Sequence, residues 1–280
     1  MLYSFRLWVL MPVFFSLLAP AISQKKETRS GETQKIVSAT VLLNDKTPVD
    51  NKALLAELKN EWGIRTDSIQ GGDKTLVFSV PNGITVMIAW LGYPAAPAEI
   101  KAAADISFLW PGAAEEAGRH QSQAVVSVIG PASRTVELYK IFTRVSAALL
   151  NNTRSSGIYL GSQYLLVPKG YFLESARNMN DQLLPLSCWI YFGLRQEGAT
   201  NSGYTFGMGE FGLPEFEVVS SEHSIQEVYA LLTDAADFAI RTHTKFANGQ
   251  FFDAPNGSKI PVEVSKSAFL KNETTVKLKF

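Results

Sequence analysis

The chain has 280 residues, of which 46% are apolar and 19% charged. That composition supplies one large core or two small ones and marks a globular protein. Lys plus Arg and Asp plus Glu balance at 26 each, so there is no basic footprint for nucleic acid or an anionic membrane. The single cysteine, Cys188, excludes an internal disulfide and a cysteine-built zinc site. It lies in the apolar run "LPLSCWIYFGL", where a small buried hydrophobe is expected.

The N-terminus has the three parts of an export signal. "MLYSFR" carries one positive charge, and "LWVLMPVFFSLLA" is an apolar run too short to span a bilayer well. Ala21 and Ser23 then offer small residues before Gln24. The expectation is a signal peptide over 1–23, a mature chain starting near Gln24, and a secreted or periplasmic protein with no stable membrane insertion after cleavage. Residues 24–35, "QKKETRSGETQK", have no apolar side chain and read as a flexible tether. Residues 36–280 are expected to form a single continuous domain with halves of about 36–150 and 151–280, because no Pro/Gly/Ser linker separates them.

"KIVSATVLLN" predicts a strand. Asp50 is placed to cap the helix "NKALLAELKNEW", where Leu54, Leu55, Leu58 and Trp62 form one apolar stripe before Gly63 ends it. "TLVFSV" and "ITVMIAWLG" read as strands joined at "PNG", a hairpin signal. "PAEIKAAADISFLW" predicts a helix with Pro97 in its first turn, and "QAVVSVIG" a buried strand. The order βαββαβ is the ferredoxin-like signature. Ser133 then opens a long helix lined by Val136, Tyr139, Phe142, Val145 and Leu149.

The second half reads as α+β as well. "QYLLVP" and "LPLSCWIYFGLRQ" predict strands and "YFLESARNM" a short helix. In "SIQEVYALLTDAADFAIRT", Ser224 and Glu227 form a capping box. "GQFF", "KIPVEV" and "TTVKLKF" are short closing strands. The fold class is therefore α+β: a ferredoxin-like βαββαβ start extended by a second α+β half, with an antiparallel-rich mixed sheet.

"YTFGMGEFGLPEFEV" contains Gly207, Gly209 and Gly212 in the dinucleotide spacing G-x-G-x-x-G. That fingerprint works by ending a strand and opening a helix whose N-terminus holds pyrophosphate. Here Pro214 follows, and Glu215-Phe216-Glu217-Val218 alternates with period 2, so a strand comes next. No cofactor is expected. The glycines are read as serving backbone geometry, Gly209 in particular by a positive φ or a close approach.

The same segment, followed by a capped helix and "ANGQFF", resembles the bacterial family called domain of unknown function 4261. "ATVLLNDKTPVDNKALLAELKNEWGI", "ITVMIAWLGYP" and "ADISFLWPGAAEEAGRHQSQAVVSV" extend the resemblance over roughly residues 38–265. It implies an uncharacterised α+β domain and supplies no catalytic residues.

Four residues are candidates for chemistry. His120 sits at a strand mouth near Glu115 and Glu116, a possible acid–base pair. Glu215 and Glu217 are expected on one strand face, roughly 6.5–7 Å apart along the strand, with Glu210 nearby. That spacing suits paired carboxylates or a cation site. The other reading is a half-solvated strand with the glutamates outward and Phe216 and Val218 inward. His223 and His243 are scattered and give no metal motif. Aromatic residues are frequent, and most fall in core-patterned segments. The function expected is an exported binding or protein-interaction module, recognising an unknown protein or a small polar ligand. The alternative is a hydrolase using His120 with Glu210, Glu215 or Glu217.

Overall fold

The computed structural model describes residues 32–280. The expected signal segment and most of the tether lie outside the described residues. Strand β1 (Gln34–Leu43) begins inside the segment read as a tether, because Ala132 N donates to Thr33 O and holds the chain at the sheet. Helix α1 (Asn51–Asn60) starts where Asp50 accepts from the amides of Lys52 and Ala53. It ends before Gly63, whose φ of +64° suits glycine. Leu54 and Leu58 are buried, while Leu55 and Trp62 are half-buried beside them.

The fully exposed β2 (Asp67–Gly72) was not legible in "DSIQGG", which has one apolar side chain and so lacks the alternation of a half-buried strand. It pairs with β3 (Thr75–Val80), which forms a hairpin with β4 (Ile84–Leu91) across Asn82 and Gly83, both at positive φ. Helix α2 (Pro97–Asp105) is shorter than predicted, and a second short helix, α3 (Ala113–Glu116), follows Trp110. Strand β5 (Ser122–Pro131) leads through a tight turn into α4 (Thr135–Asn151), then β6 (Ser155–Leu160), β7 (Leu165–Pro168) and α5 (Lys169–Asn178). Ser133 lies in that turn and the helix opens two residues later.

The seven strands order as β2-β3-β4-β5-β1-β6-β7. This corrects the ferredoxin-like expectation. A ferredoxin-like sheet sets β1 between β4 and β5, with the strands of each crossover parallel and one strand apart. Here β5 lies between β4 and β1 and is antiparallel to both. The physical reason is burial: Ala124, Val126 and Val128 are fully buried, and so apolar a run takes a central position. Helices α1, α4 and α5 cover one face of this sheet, and α2 and α3 cover the other. Leu42 and Tyr159 point to that second face, against Ile100, Ala103 and Trp110.

The second sheet has six strands in the order β11-β12-β13-β10-β9-β8. These are β8 (Tyr191–Glu197), β9 (Thr200–Phe206), β10 (Phe216–Ser221), β11 (Phe251–Asp253), β12 (Lys259–Lys266) and β13 (Thr274–Leu278). Only β10 and β13 pair in parallel among the described strands. Helix α6 (Ile225–Thr242) starts at the capping box of Ser224 and Glu227 and packs on β8, β9 and β10. Gly203 allows this approach, since a Cβ there would stand 2.8 Å from Leu232 Cδ1. One buried cluster contains Leu58, Val126 and Phe142 from the first layer and Phe192, Phe216, Leu232 and Val276 from the second. Residues 33–280 therefore form one compact α+β unit with two mostly antiparallel sheets.

Leu58 is fully buried in that cluster. Leu58→Ala is expected to destabilise the protein by about 2–4 kcal/mol, measured by urea denaturation.

Candidate functional site

The glycine loop holds a carboxyl group, and that group is the chain's own. Glu215 Oε1 accepts from Gly207 N at 2.9 Å and from Gly209 N at 3.4 Å. Its Oε2 accepts from Thr205 Oγ1 at 2.7 Å. Thr205 Oγ1 in turn accepts from Phe216 N at 2.8 Å, which ties the end of β9 to the start of β10. A single 3₁₀ turn, Met208–Phe211, fills the loop where a dinucleotide fold would open a long helix. Gly207 has φ +130°, and a Cβ there would stand 2.9 Å from Gln163 Cγ. Gly212 has φ +70°. Gly209 is different: it is exposed, its φ is not positive, and open space surrounds it. The backbone constraint expected at Gly209 thus falls on Gly207 and Gly212.

Glu217 is fully buried, not outward-facing, because a loop covers its side of the sheet. Ser267 Oγ and Ala268 N (3.1 Å) donate to its carboxylate, and Lys277 Nζ stands 3.9 Å away. Ser267 Oγ also accepts from Phe269 N at 3.1 Å and Leu270 N at 2.7 Å, so Glu217 fixes the turn that carries Phe269. Glu210 pairs with Lys35 Nζ at 2.7 Å, joining the loop to β1.

His120 is buried with both ring nitrogens engaged. Nε2 accepts from Ala95 N at 2.8 Å, which leaves Nδ1–H to donate to Ala117 O at 2.6 Å. Its neighbours pair elsewhere: Glu115 with Arg119, and Glu116 with Trp110 Nε1 at 3.1 Å. No hydrogen bond or ion pair joins His120, Glu210, Glu215 and Glu217 to one another among the described residues. His223 stacks on Phe280 at 3.8 Å, and His243 is the left-handed cap of α6. Cys188 is fully buried, and burial pushes its thiol pKa up to about 12.

The surface that does gather side chains lies at the outer edge of β8. Successive residues of a strand point to opposite faces. Phe192 faces α6, where it meets Tyr229 at 5.2 Å between ring centroids. Tyr191, Gly193 and Arg195 face the other way. Gly193 pairs with Tyr204 of β9, and a Cβ there would stand 2.2 Å from the Tyr204 ring. Tyr204 therefore lies flat across the glycine, and Phe269 stacks on it at 5.3 Å and 21°. The Arg195 guanidinium sits 5.3 Å from the Phe269 centroid. Tyr191 OH donates to Ile106 O at 3.2 Å, and its pKa is raised to about 12, mainly by burial. The loop at 105–108, with Phe108 exposed, forms the opposite wall. The cleft between encloses about 350 Å³.

Sequence reasoning missed this cleft. Its one local signal is the alternation Tyr191-Gly193-Arg195 on a strand, where a small residue between two large ones leaves room for a cross-strand ring. The protein is thus a two-sheet α+β domain with an aromatic cleft at one sheet edge. Residues 204–279 match the family model described as Domain of unknown function (DUF4261), the family these motifs resemble. The match includes the last three residues of β9, the glycine loop, Glu210, Glu215 and Glu217, α6 and Phe269. No curated protein and no solved structure matches the chain.

The two loop glycines separate by geometry. Gly207→Ala is expected to cost about 1 kcal/mol or more, and Gly209→Ala to stay within about 0.5 kcal/mol, by chemical denaturation.

Glu215 also carries a pH signature. Burial raises its pKa above the ordinary carboxylate value, against the bonds from Gly207, Thr205, Met208 and Gly209. Its contribution to stability is then fully present below the unfolded carboxylate pKa of about 4.3 and is lost as pH rises through the folded value. Lowering the pH from neutral towards that unfolded value should favour the wild type over Glu215→Gln, read as the difference in their urea midpoints.

Proposed function

We propose that this chain is an exported binding module that captures an extended polypeptide segment along β8. The observation that carries the reading is the preformed Tyr204–Phe269 stack beside Arg195 on an edge strand. An edge strand has one row of backbone N–H and C=O groups with no strand partner, and an extended peptide can add to it. The rings offer broad apolar contact at little ordering cost, since Gly193 and the Ser267 turn already hold them. Arg195 has no carboxylate partner among the described residues, and Asp105 opposite is paired with Lys101. An acidic side chain on the peptide would complement Arg195. Export rests on the tripartite N-terminal sequence, and it puts the partner outside the cytoplasm.

The test is a peptide-display selection on the mature protein. Enriched peptides are expected to carry an acidic residue in an alternating apolar segment. Arg195→Glu should weaken the best of them about tenfold and shift the selection towards basic residues. Its melting temperature should stay near wild type, because the side chain is exposed. An unchanged charge preference in the variant would overturn the reading.

A further inference from the structure

At the other end of the six-stranded sheet, beside β11, large apolar side chains stand in solvent. Phe251 and Leu183 are each 54% exposed and Phe238 42%. Helix α6 does not need Phe238 for its own packing. Its buried face is Val228, Leu231, Leu232, Ala235, Ala236, Ala239 and Ile240. Two hollows of about 450 and 380 Å³ meet at Phe238, Phe252 and Asp253. Phe246 braces the ridge between them, with its ring 6.1 Å from both Phe238 and Phe252. Contiguous apolar surface rimmed by polar residues marks an interaction site.

The rim is acidic. Arg241 is already engaged, with Nε on Asp237 at 2.5 Å and its terminal nitrogens on the carbonyls of Asp181 and Gln182. Asp234 has no ion-pair partner among the described residues, and burial raises its carboxyl pKa. Asp253 has only Lys259 at 3.8 Å, and both side chains are exposed. A partner with basic groups would complement Asp234 and Asp253. Strand β11 has three residues, too few for an added strand to form a ladder of useful length. Two hollows either side of a ridge suit apolar side chains one turn apart on a helix.

We propose that the surface between α6 and β11 docks a basic amphipathic helix of a partner protein. The site is independent of the β8 cleft, which lies at the opposite sheet edge. The probe is a fluorescein-labelled amphipathic Leu/Lys peptide of about 14 residues, near the shortest length at which an isolated helix persists. A Leu/Glu counterpart and a scrambled Leu/Lys peptide of the same composition serve as comparisons. Fluorescence anisotropy should detect binding of the Leu/Lys helix and little of the other two. Phe238→Asp should weaken it about tenfold or more. Asp234→Asn with Asp253→Asn should weaken it less and reduce its salt dependence. Arg195→Glu should leave it unchanged, which separates this site from the β8 reading. Equal binding of the scrambled peptide overturns the proposal. So does an unchanged affinity in folded Phe238→Asp, or in the double Asn variant.

Discussion

Helix α4 packs on the first sheet from one side and on the turns bordering the second sheet from the other. Ten of its residues are buried, so it cannot be a surface helix with one apolar stripe. One side lies on β1 and β5. From the other, Tyr139 meets Trp189 at 5.2 Å and Phe211 at 4.7 Å. The polar ends of these rings are satisfied inside the core: Trp189 Nε1 donates to Thr143 Oγ1 at 2.8 Å, and Gln163 Nε2 donates to Tyr139 OH at 2.9 Å. Such a junction is geometrically demanding, because an unpaired polar group in a buried site costs about 1–3 kcal/mol. It fixes Phe211, and with Phe211 the glycine loop, relative to the first sheet.

In that loop the backbone N–H groups of Gly207 and Gly209 converge on a side chain of the same chain. Convergent backbone N–H groups favour negative charge whatever its source. A carboxylate supplied six to eight residues later closes the loop on itself. Glu217 does the same for the turn carrying Phe269. Each glutamate is a positioning residue. Glu215 holds the loop that joins β9 to β10, and Glu217 holds the turn whose Phe269 stacks on Tyr204.

The two edges of the six-stranded sheet are managed differently. Strand β11 is short, which limits ladder pairing, but it leaves phenylalanines in solvent. Strand β8 is longer and is shielded on one side by the 105–108 loop and Tyr191. Both edges are preformed surfaces rather than gaps in packing, since their rings brace one another.

Local chemistry made much of the fold legible. The Asp50 cap, the Ser224–Glu227 box, the Asn82-Gly83 hairpin and the stripe of α6 each depend on residues within a few positions of one another. Their energies are decided before the chain folds around them. The strand that follows the glycine loop, in place of a long helix, was also local, since Pro214 and the period-2 run after it favour extended backbone. Strand order was not local: β5 lies in the centre of its sheet with the Ala124, Val126 and Val128 face fully buried, against the connection order, and β2 forms only because β3 offers an edge. The role of Glu217 was decided at longer range still. Whether Glu217 faces water or the interior depends on a turn 50 residues away, and whether Arg195 meets an aromatic ring depends on Phe269. Sequence determined which residues alternate on each strand. Only tertiary structure decided what covers each face, because covering requires contacts between segments that no local pattern specifies.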